Sequence, residues 1–502
     1  MDTGPIATLA ARAAAGHRDP AVIDRDGTSC WGEFAARVSA FAGGLRALGV
    51  ARGDRVGLLL GNSADFAVAA YGCLVSGAVF VPLPVADPSA RVRRMVADSR
   101  PALVVAQRDL LDGITEVSSG ACEAAHVEAT GGSLPLLSPD PTQPAYIVYT
   151  SGSTAAPKGV AIRYESLVNL TAATVEVFSL DSTTRALCVS PFHFDGAFGS
   201  LFSVPAAGGT IVILGNTAPL PADLVRAVLE HRITHTSFSP SLLRLLVGSR
   251  HLEKLGESSL RTVGIGGEDC ALEDVRGIKE AVPGLRLFNR YGPTETTIVV
   301  SSFEVTDEAL KSSTKLPIGR PHRGVSFHLV GQEGSELTGS GVIGELHVGG
   351  IQVMEGYWGA PGQTAAALRT DIVPGATVYR TGDLAERNEA GDYVFRGRVD
   401  EVLKRSGNRV GAAEVEMALR GLPSVREAAC AVVEAGCRQR LLGFVVAEGK
   451  VPVAQLRGEL LEVVPSYMCP DRFYLVDVIP LTSAGKADLN ALCNANIGSE
   501  DG

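Results

Sequence analysis

"AYIVYTSGSTAAPKGV", residues 145–160, joins two textures that rarely meet without a reason. "AYIV" is an apolar, β-branched run of the kind that forms a buried strand. It passes straight into small and hydroxyl-bearing residues closed by Lys158. Backbone N–H groups and short hydroxyls can wrap a phosphate closely in such a loop, because Gly152, Ser153 and Ala155 keep bulk out of the way. The loop is not of Walker type, since no Gly-Lys-Ser/Thr follows at the required spacing. Taken alone it also reads as a Ser/Gly surface turn, and the rest of the chain decides between the two.

Outward from this loop, strand-like runs alternate with helix-like ones. "RVGLLL" (55–60), "ALVVA" (102–106), "YIVYT" (146–150), "RALCVS" (185–190) and "TIVIL" (210–214) read as strands, while "DLVRAVLEHR" (223–232) and "SPSLLRLLVGS" (239–249) carry helical spacing. Such alternation predicts an α/β fold with largely parallel sheets covered by helices. From about residue 320 the texture becomes "SFHLV", "GELHVGG" and "YVFRGR", a small twisted or barrel-like β section. Residues 397–434 then read as strand, glycine turn, helix and strand, a short α+β tail. A domain boundary is expected near Asp400, giving a large multi-sheet N-terminal domain over 1–399 and a small C-terminal domain over 400–502.

The totals narrow the class. With 502 residues, 46% hydrophobic and 20% charged, the chain is globular and long enough for more than one domain. A formal net charge of -10 argues against nucleic acid as a partner, since no excess of cations awaits a phosphate backbone. Nine dispersed cysteines without a C-x-x-C pair fit reduced thiols in a cytoplasmic protein. The charged N-terminal stretch lacks a signal-peptide core. "FAVAAYGCLVSGAVFVPLPV" (66–85) is uncharged and long enough to span a bilayer, yet Gly77, Pro82, Pro84 and the "VFVPL" pattern predict a buried helix, a glycine turn and a strand. No membrane association is expected.

Further stretches fall into one order: "FHFDGAFGS" (192–200), "NRYGPTETT" (289–297), "GELHVGG" (344–350), "YRTGDL" (379–384), "GRVDEVLKRSGNRV" (397–410) and "PLTSAGKADL" (480–489). With the opening loop, this order and spacing resemble the adenylate-forming superfamily, which includes amino-acid-activating domains of nonribosomal peptide synthetases, acyl- and aryl-CoA synthetases and luciferases. The resemblance covers nearly the whole chain. It implies a mobile C-terminal domain on a hinge and a reaction in two halves. A carboxylate first attacks the α-phosphate of ATP to give an acyl adenylate and pyrophosphate; a thiol then takes the acyl group and releases AMP.

By this resemblance Ser151, Gly152, Ser153, Thr154 and Lys158 would hold the β- and γ-phosphates, although Ala155 stands where the family usually has glycine. Tyr291 would stack on adenine and Asn289 read its amino edge, with Gly267, Glu268 and Gly292 around the nucleotide. Thr294 would contact the α-phosphate, and Glu295 would hold Mg²⁺, a hard cation that prefers oxygen ligands. Asp383 would accept the ribose hydroxyls and Arg398 add a contact there. Lys486 would bridge the reacting carboxylate and the α-phosphate, offsetting charge that builds up in transfer. Asp400 would be the hinge.

The substrate pocket follows from the same alignment. Asp195 stands where amino-acid-activating members place the partner of the substrate ammonium; the bland reading is a cap on the following helix. The other lining positions fall at Gly196, Gly199, Ser237, Gly264, Gly266, Arg290, Ile298 and Val299. Arg290 is unusual in a lining that is often apolar, and a guanidinium fork suits a carboxylate. An ammonium for Asp195 and a second carboxylate for Arg290 would fit an aspartate-like acid or a β-amino acid of the kind that starts macrolactam polyketides. Alternatively Arg290 turns away to pair with an acid such as Glu268. His193 fits either a gate beside the acyl group or a packed core histidine.

The expected function is ATP- and Mg²⁺-dependent activation of an amino acid and its loading onto a carrier protein, which must be a separate chain because no L-G-G-x-S attachment sequence follows. The rival is a CoA ligase for a small organic acid. "LKRSGNRVGAAEVE" resembles the CoA-ligase version of its loop as much as the amino-acid version, and "VMEGYWGAPGQT" lacks a commonly following arginine. A silent nucleotide-binding protein is disfavoured by Lys158, Glu295, Asp383 and Lys486 occurring together.

Overall fold

The computed structural model describes residues 4–115, 120–150, 157–215, 219–312, 315–331, 333–399, 402–405, 408–435, 438–480 and 487–497. Ser151, Gly152, Ser153, Thr154, Asp400 and Lys486 lie outside the described residues. The chain divides into two compact units. One comprises 1–85, 96–149 and 159–397; the other comprises 86–95, 150–158 and 398–502.

The first unit realises the expected alternation. Among the described residues it holds a nine-stranded sheet whose middle is parallel throughout, from Pro20–Asp24 through Thr210–Ile213, Arg185–Cys188, His235–Phe238 and Thr262–Gly266 to Arg286–Tyr291. Antiparallel strands close its edges. A seven-stranded sheet contains the parallel strands Arg55–Leu59, Val79–Pro82 and Leu103–Ala106 beside Pro144–Thr150, the strand that opens the hydroxyl-rich loop. The glycine-rich region after residue 320 forms a six-stranded sheet built on antiparallel pairing of Val325–Val330, Ile343–Gly350 and Val378–Arg387.

The uncharged stretch 66–85 resolves into helix, turn and strand. The helix Ala64–Ser76 starts on Ser63, whose hydroxyl accepts from the Phe66 N–H, and ends on Gly77 at φ +77°, a left-handed cap that suits glycine. The strand Val79–Pro82 follows, buried at every position. Among the described residues no helix is long and apolar enough to cross a membrane. Helix and strand feed one apolar core in which Phe80 and Tyr146 meet the Phe198 ring at 5.4 and 5.1 Å, edge to face. That aromatic wall anchors the helix Phe198–Ala206, and with it the turn that carries Asp195.

In the second unit, the helix Ala412–Arg420 packs beside a sheet of Val425–Ala435, Arg438–Ala447 and Arg472–Leu475. Here Arg91 is buried between two acids: its Nε lies 3.2 Å from Asp87 Oδ2, and Nη1 donates to Glu414 Oε1. The described cysteines are free thiols.

Candidate active site

Strand register assembles the pocket positions. Ser237 stands opposite Gly264, Gly264 opposite Phe288, and Gly266 opposite Arg290, so these residues share one face near the carboxyl ends of three parallel strands. The helix Tyr164–Phe178 contributes its last turn over that face: Phe178 meets His235 at 4.4 Å and Phe288 at 4.8 Å, edge to face. A Cβ on Gly264 would lie 2.9 Å from Ser237 Oγ and 3.0 Å from both Arg290 Cδ and Phe178 Cζ. Glycine there leaves the lane along which the arginine side chain runs.

Arg290 is buried. Its Nη2 donates to Thr174 Oγ1 at 3.1 Å, and its guanidinium carbon lies 5.0 Å from the centre of the Phe178 ring. The Nε makes no hydrogen bond, and among the described residues no carboxylate pairs with the guanidinium. Glu268 is engaged elsewhere, accepting from the N–H and hydroxyl of Ser241 at 3.1 and 2.6 Å. Burial brings Arg290 down to about 10, which leaves it cationic at neutral pH. Burial first, and the arginine second, drive His235 and His322 down to about 3, so both neighbours are neutral.

Asp195 is the opposite case, an acid without a cation. Its Oδ2 is out of solvent and has no hydrogen-bond partner, and the Thr294 hydroxyl bonds to its carboxylate. It does not cap the following helix: Phe194 and Ala197 hold the cap positions of the short turn and the helix. Burial pushes its carboxyl up to about 6, against the Thr294 bond and with the nearby Glu295 charge adding to the rise. Gly196 opens on empty space, and Gly199 would place a Cβ with only Arg290 Nη1, at 3.9 Å, near it. His193 is partly buried, its ring 4.1 Å from that of Phe194.

Ile298 and Val299 line the buried loop after Glu295, and that loop is bent against its own preferences. Thr297 and the β-branched Ile298 have φ +60° and +71°, each costing about 1–3 kcal/mol. Gln352, wholly buried, holds the bend. Its Nε2 reaches the carbonyls of Thr296, Thr297 and Val299 at 3.3, 3.2 and 2.9 Å, its Oε1 accepts from Asn169, and its carbonyl accepts from the Thr297 hydroxyl at 2.7 Å. Gly292 lets this loop approach, since a Cβ there would lie 2.5 Å from the Ile298 oxygen. Gln352 was not marked by any sequence signal: its partners are more than fifty residues away, and it sits in an otherwise unremarkable "GGIQVM".

The nucleotide positions of the first unit are also gathered. Tyr291 donates to Asp383 Oδ2 at 2.5 Å, and the Asp383 N–H donates to Thr381 Oγ1. Asn289 is buried with its Nδ2 on the Pro317 oxygen at 2.7 Å, leaving its own oxygen as the acceptor that an amino edge requires. Gly267 sits at φ +91°, immediately before Glu268. Glu295 is buried, with Oε1 accepting from the Tyr357 hydroxyl at 2.9 Å. One carboxylate fits Mg²⁺, which commonly takes one or two protein oxygens and completes its shell with phosphate and water. Among the described residues no set of three or more acidic, histidine or cysteine ligands exists. Lys158 opens the strand Lys158–Arg163 and Arg398 ends Tyr393–Arg398; both belong to the second unit.

Comparison with known proteins points the same way. The model of the AMP-binding enzyme family matches residues 9–358, and that of the AMP-binding enzyme C-terminal domain matches 414–486. An L-proline--[L-prolyl-carrier protein] ligase of Streptomyces coelicolor is 33% identical over 501 residues, covering 94% of this chain and 93% of that protein. Gramicidin S synthase 2 of Brevibacillus brevis is also 33% identical, over 94% of this chain, but the chain spans only 11% of that much longer protein. The structure of holo-PA1221, an NRPS protein containing adenylation and PCP domains, superposes with a TM-score of 0.85 at 25% identity, covering 98% of this chain and 84% of that one. Motif order, fold and relatives agree that the chain belongs to the AMP-binding enzyme family, the adenylate-forming ligases.

Proposed function

We propose that the chain activates an amino acid as its adenylate and passes it to the phosphopantetheine thiol of a carrier protein outside these 502 residues. The observation that carries this reading is the unpartnered Asp195 Oδ2, a buried acid oxygen without a cation, followed by Gly196 and Gly199, at which an added Cβ would meet nothing and one arginine nitrogen, respectively. The likeness to a prolyl-carrier protein ligase over nearly its whole length supports the same reading. In the first half-reaction a substrate carboxylate oxygen attacks the α-phosphorus of ATP, the bond to the β-phosphate oxygen breaks, and pyrophosphate leaves. In the second, the carrier thiolate attacks the acyl carbon, the bond to AMP breaks and AMP leaves with its electron pair.

Asp195 would hold the ammonium and so fix the carboxylate's approach. Tyr291, Asn289 and Asp383 would seat the adenosine, with Gly267, Glu268 and Gly292 around it. Thr294 would turn from Asp195 toward the α-phosphate. Glu295 is the residue that would hold Mg²⁺, which when bound would offset phosphate charge. Ser151, Gly152, Ser153, Thr154 and Lys158 would hold the leaving phosphates, Arg398 would reach the ribose, and Lys486 would bridge the reacting groups. Asp400 would be the hinge between domains 1–399 and 400–502. These assignments rest on the motif resemblance.

The test is substrate-dependent ATP–pyrophosphate exchange across α-amino, β-amino, aryl and fatty acids, repeated with Asp195→Asn. Exchange confined to amino acids and abolished by the substitution is expected. Exchange only with acids lacking an amine would overturn the reading. The CoA-ligase alternative keeps the support of its loop sequence "LKRSGNRVGAAEVE", and supplying free CoA against a phosphopantetheinylated carrier as acceptor decides between them.

A further inference from the structure

We infer that the substrate is an amino dicarboxylic acid whose non-reacting carboxylate is held by Arg290. This rests on the amino-acid reading and deepens it. A buried guanidinium without a counter-charge is costly, and folded proteins rarely keep one unless something arrives to neutralise it. Arg290 is such a group: 9% exposed, with one neutral hydroxyl and one aromatic face as its partners and with Nε unbonded. The histidines within its electrostatic reach, His235 and His322, are held uncharged, and an imidazole in either protonation state supplies no counter-charge.

Gly199 faces the guanidinium without a side chain of its own: a Cβ there would have Arg290 Nη1, at 3.9 Å, as its one neighbour within 4 Å, and Gly199 lies four residues from Asp195 on the same turn and helix. The pocket therefore presents an unpaired anion and an unpaired cation. An ordinary amino acid, whose own carboxylate is consumed in the reaction, satisfies only the first. A substrate with an ammonium and two carboxylates satisfies both and leaves one carboxylate for the α-phosphate. The guanidinium fork suits a planar carboxylate better than an amide, because an amide supplies a single acceptor oxygen and no charge.

The experiment is ATP–pyrophosphate exchange by the whole chain with aspartate against asparagine and glutamate against glutamine, in both enantiomers, with Arg290→Leu and Arg290→Lys alongside. Hydroxylamine trapping identifies which carboxyl was activated. At least one dicarboxylate is expected to exceed its amide by about 100-fold or more in kcat/KM, since a site built around a polar partner rejects analogues that lack it. Arg290→Leu should bring exchange with the dicarboxylate down to the level of its amide, and Arg290→Lys should keep part of the preference. As a readout independent of turnover, the dicarboxylate should raise the wild-type Tm and not that of Arg290→Leu. Exchange with amino monocarboxylates and none with dicarboxylates would overturn this inference and leave amino-acid activation standing. A dicarboxylate preference unchanged in Arg290→Leu would remove Arg290 from the role. Exchange only with acids lacking an amine would overturn the amino-acid reading itself.

Discussion

Two buried arginines in this chain are treated in opposite ways. Arg91, in the second unit, sits between Asp87 and Glu414, so its charge is met by two carboxylates. Arg290, in the first, is buried to a similar extent and meets a threonine hydroxyl and a phenylalanine face. The acids show the same contrast. Asp87 and Asp195 are both raised to about 6 by burial, but Asp87 has an arginine beside it, while Asp195 has the Thr294 hydroxyl, backbone N–H groups and a bare Oδ2. Charges matched within the fold hold the fold together. The charges left unmatched inside it are the ones on which the proposed substrate contacts rest.

The contrast breaks most visibly at Arg91. Replacing it with leucine strands two buried carboxylates and should cost about 3–5 kcal/mol, read as a large fall in Tm that is worse at pH 8 than at pH 5, where protonation relieves the acids. Arg290→Leu should change Tm little or raise it, since it removes a charge that no protein carboxylate pairs. A fall as large as that of Arg91→Leu would show that Arg290 is structurally paired after all.

Next in size is the pH dependence of substrate binding. Ammonium capture needs Asp195 ionised, so KM for the amino acid should rise about tenfold per unit as pH falls below about 6, with a break that Asp195→Asn lacks. The stability effect has the other sign. A carboxyl raised in the fold contributes fully below its unfolded value of about 4 and loses that contribution as pH rises through about 6. The urea midpoint of Asp195→Asn should therefore fall less than that of the wild type between pH 4 and 8.

Smaller effects sharpen the account of Arg290. Thr174→Val removes the one hydrogen-bond partner of its Nη2 and should raise KM for a dicarboxylate about five- to tenfold, for about 1 kcal/mol, with kcat little changed. Gly264→Ala presses a methyl to 3.0 Å from Arg290 Cδ and should weaken binding two- to threefold, with Tm within a few degrees of wild type. No change in KM in either variant would mean that the guanidinium is not positioned by these contacts.

Much of this was legible in the sequence because it was local. The uncharged run 66–85 carried its own glycine and proline punctuation, and the strand runs around 55, 103, 146, 186 and 211 were each bounded by turn residues. Asp195 and Arg290 were marked by the motif resemblance, which placed both among the substrate-lining positions. Arg91 did not, because "ARVRRM" reads as a solvated basic helix face; its partner Glu414 lies 323 residues away. Strand order was equally hidden, since Thr210–Ile213 joins the sheet between Arg185–Cys188 and Pro20–Asp24. Pairings across such distances leave no periodic trace.

The three bonds from Gln352 go to carbonyls, not to side chains. Those bonds ask nothing of the side chains at 298 and 299, although the left-handed backbone at Ile298 favours residues that are not β-branched. Ile298 or Val299 can then be exchanged without losing the bonds that bracket the loop presenting them. A fixed main-chain bracket with interchangeable side chains is a ready substrate for evolutionary diversification, and for laboratory libraries confined to those two positions.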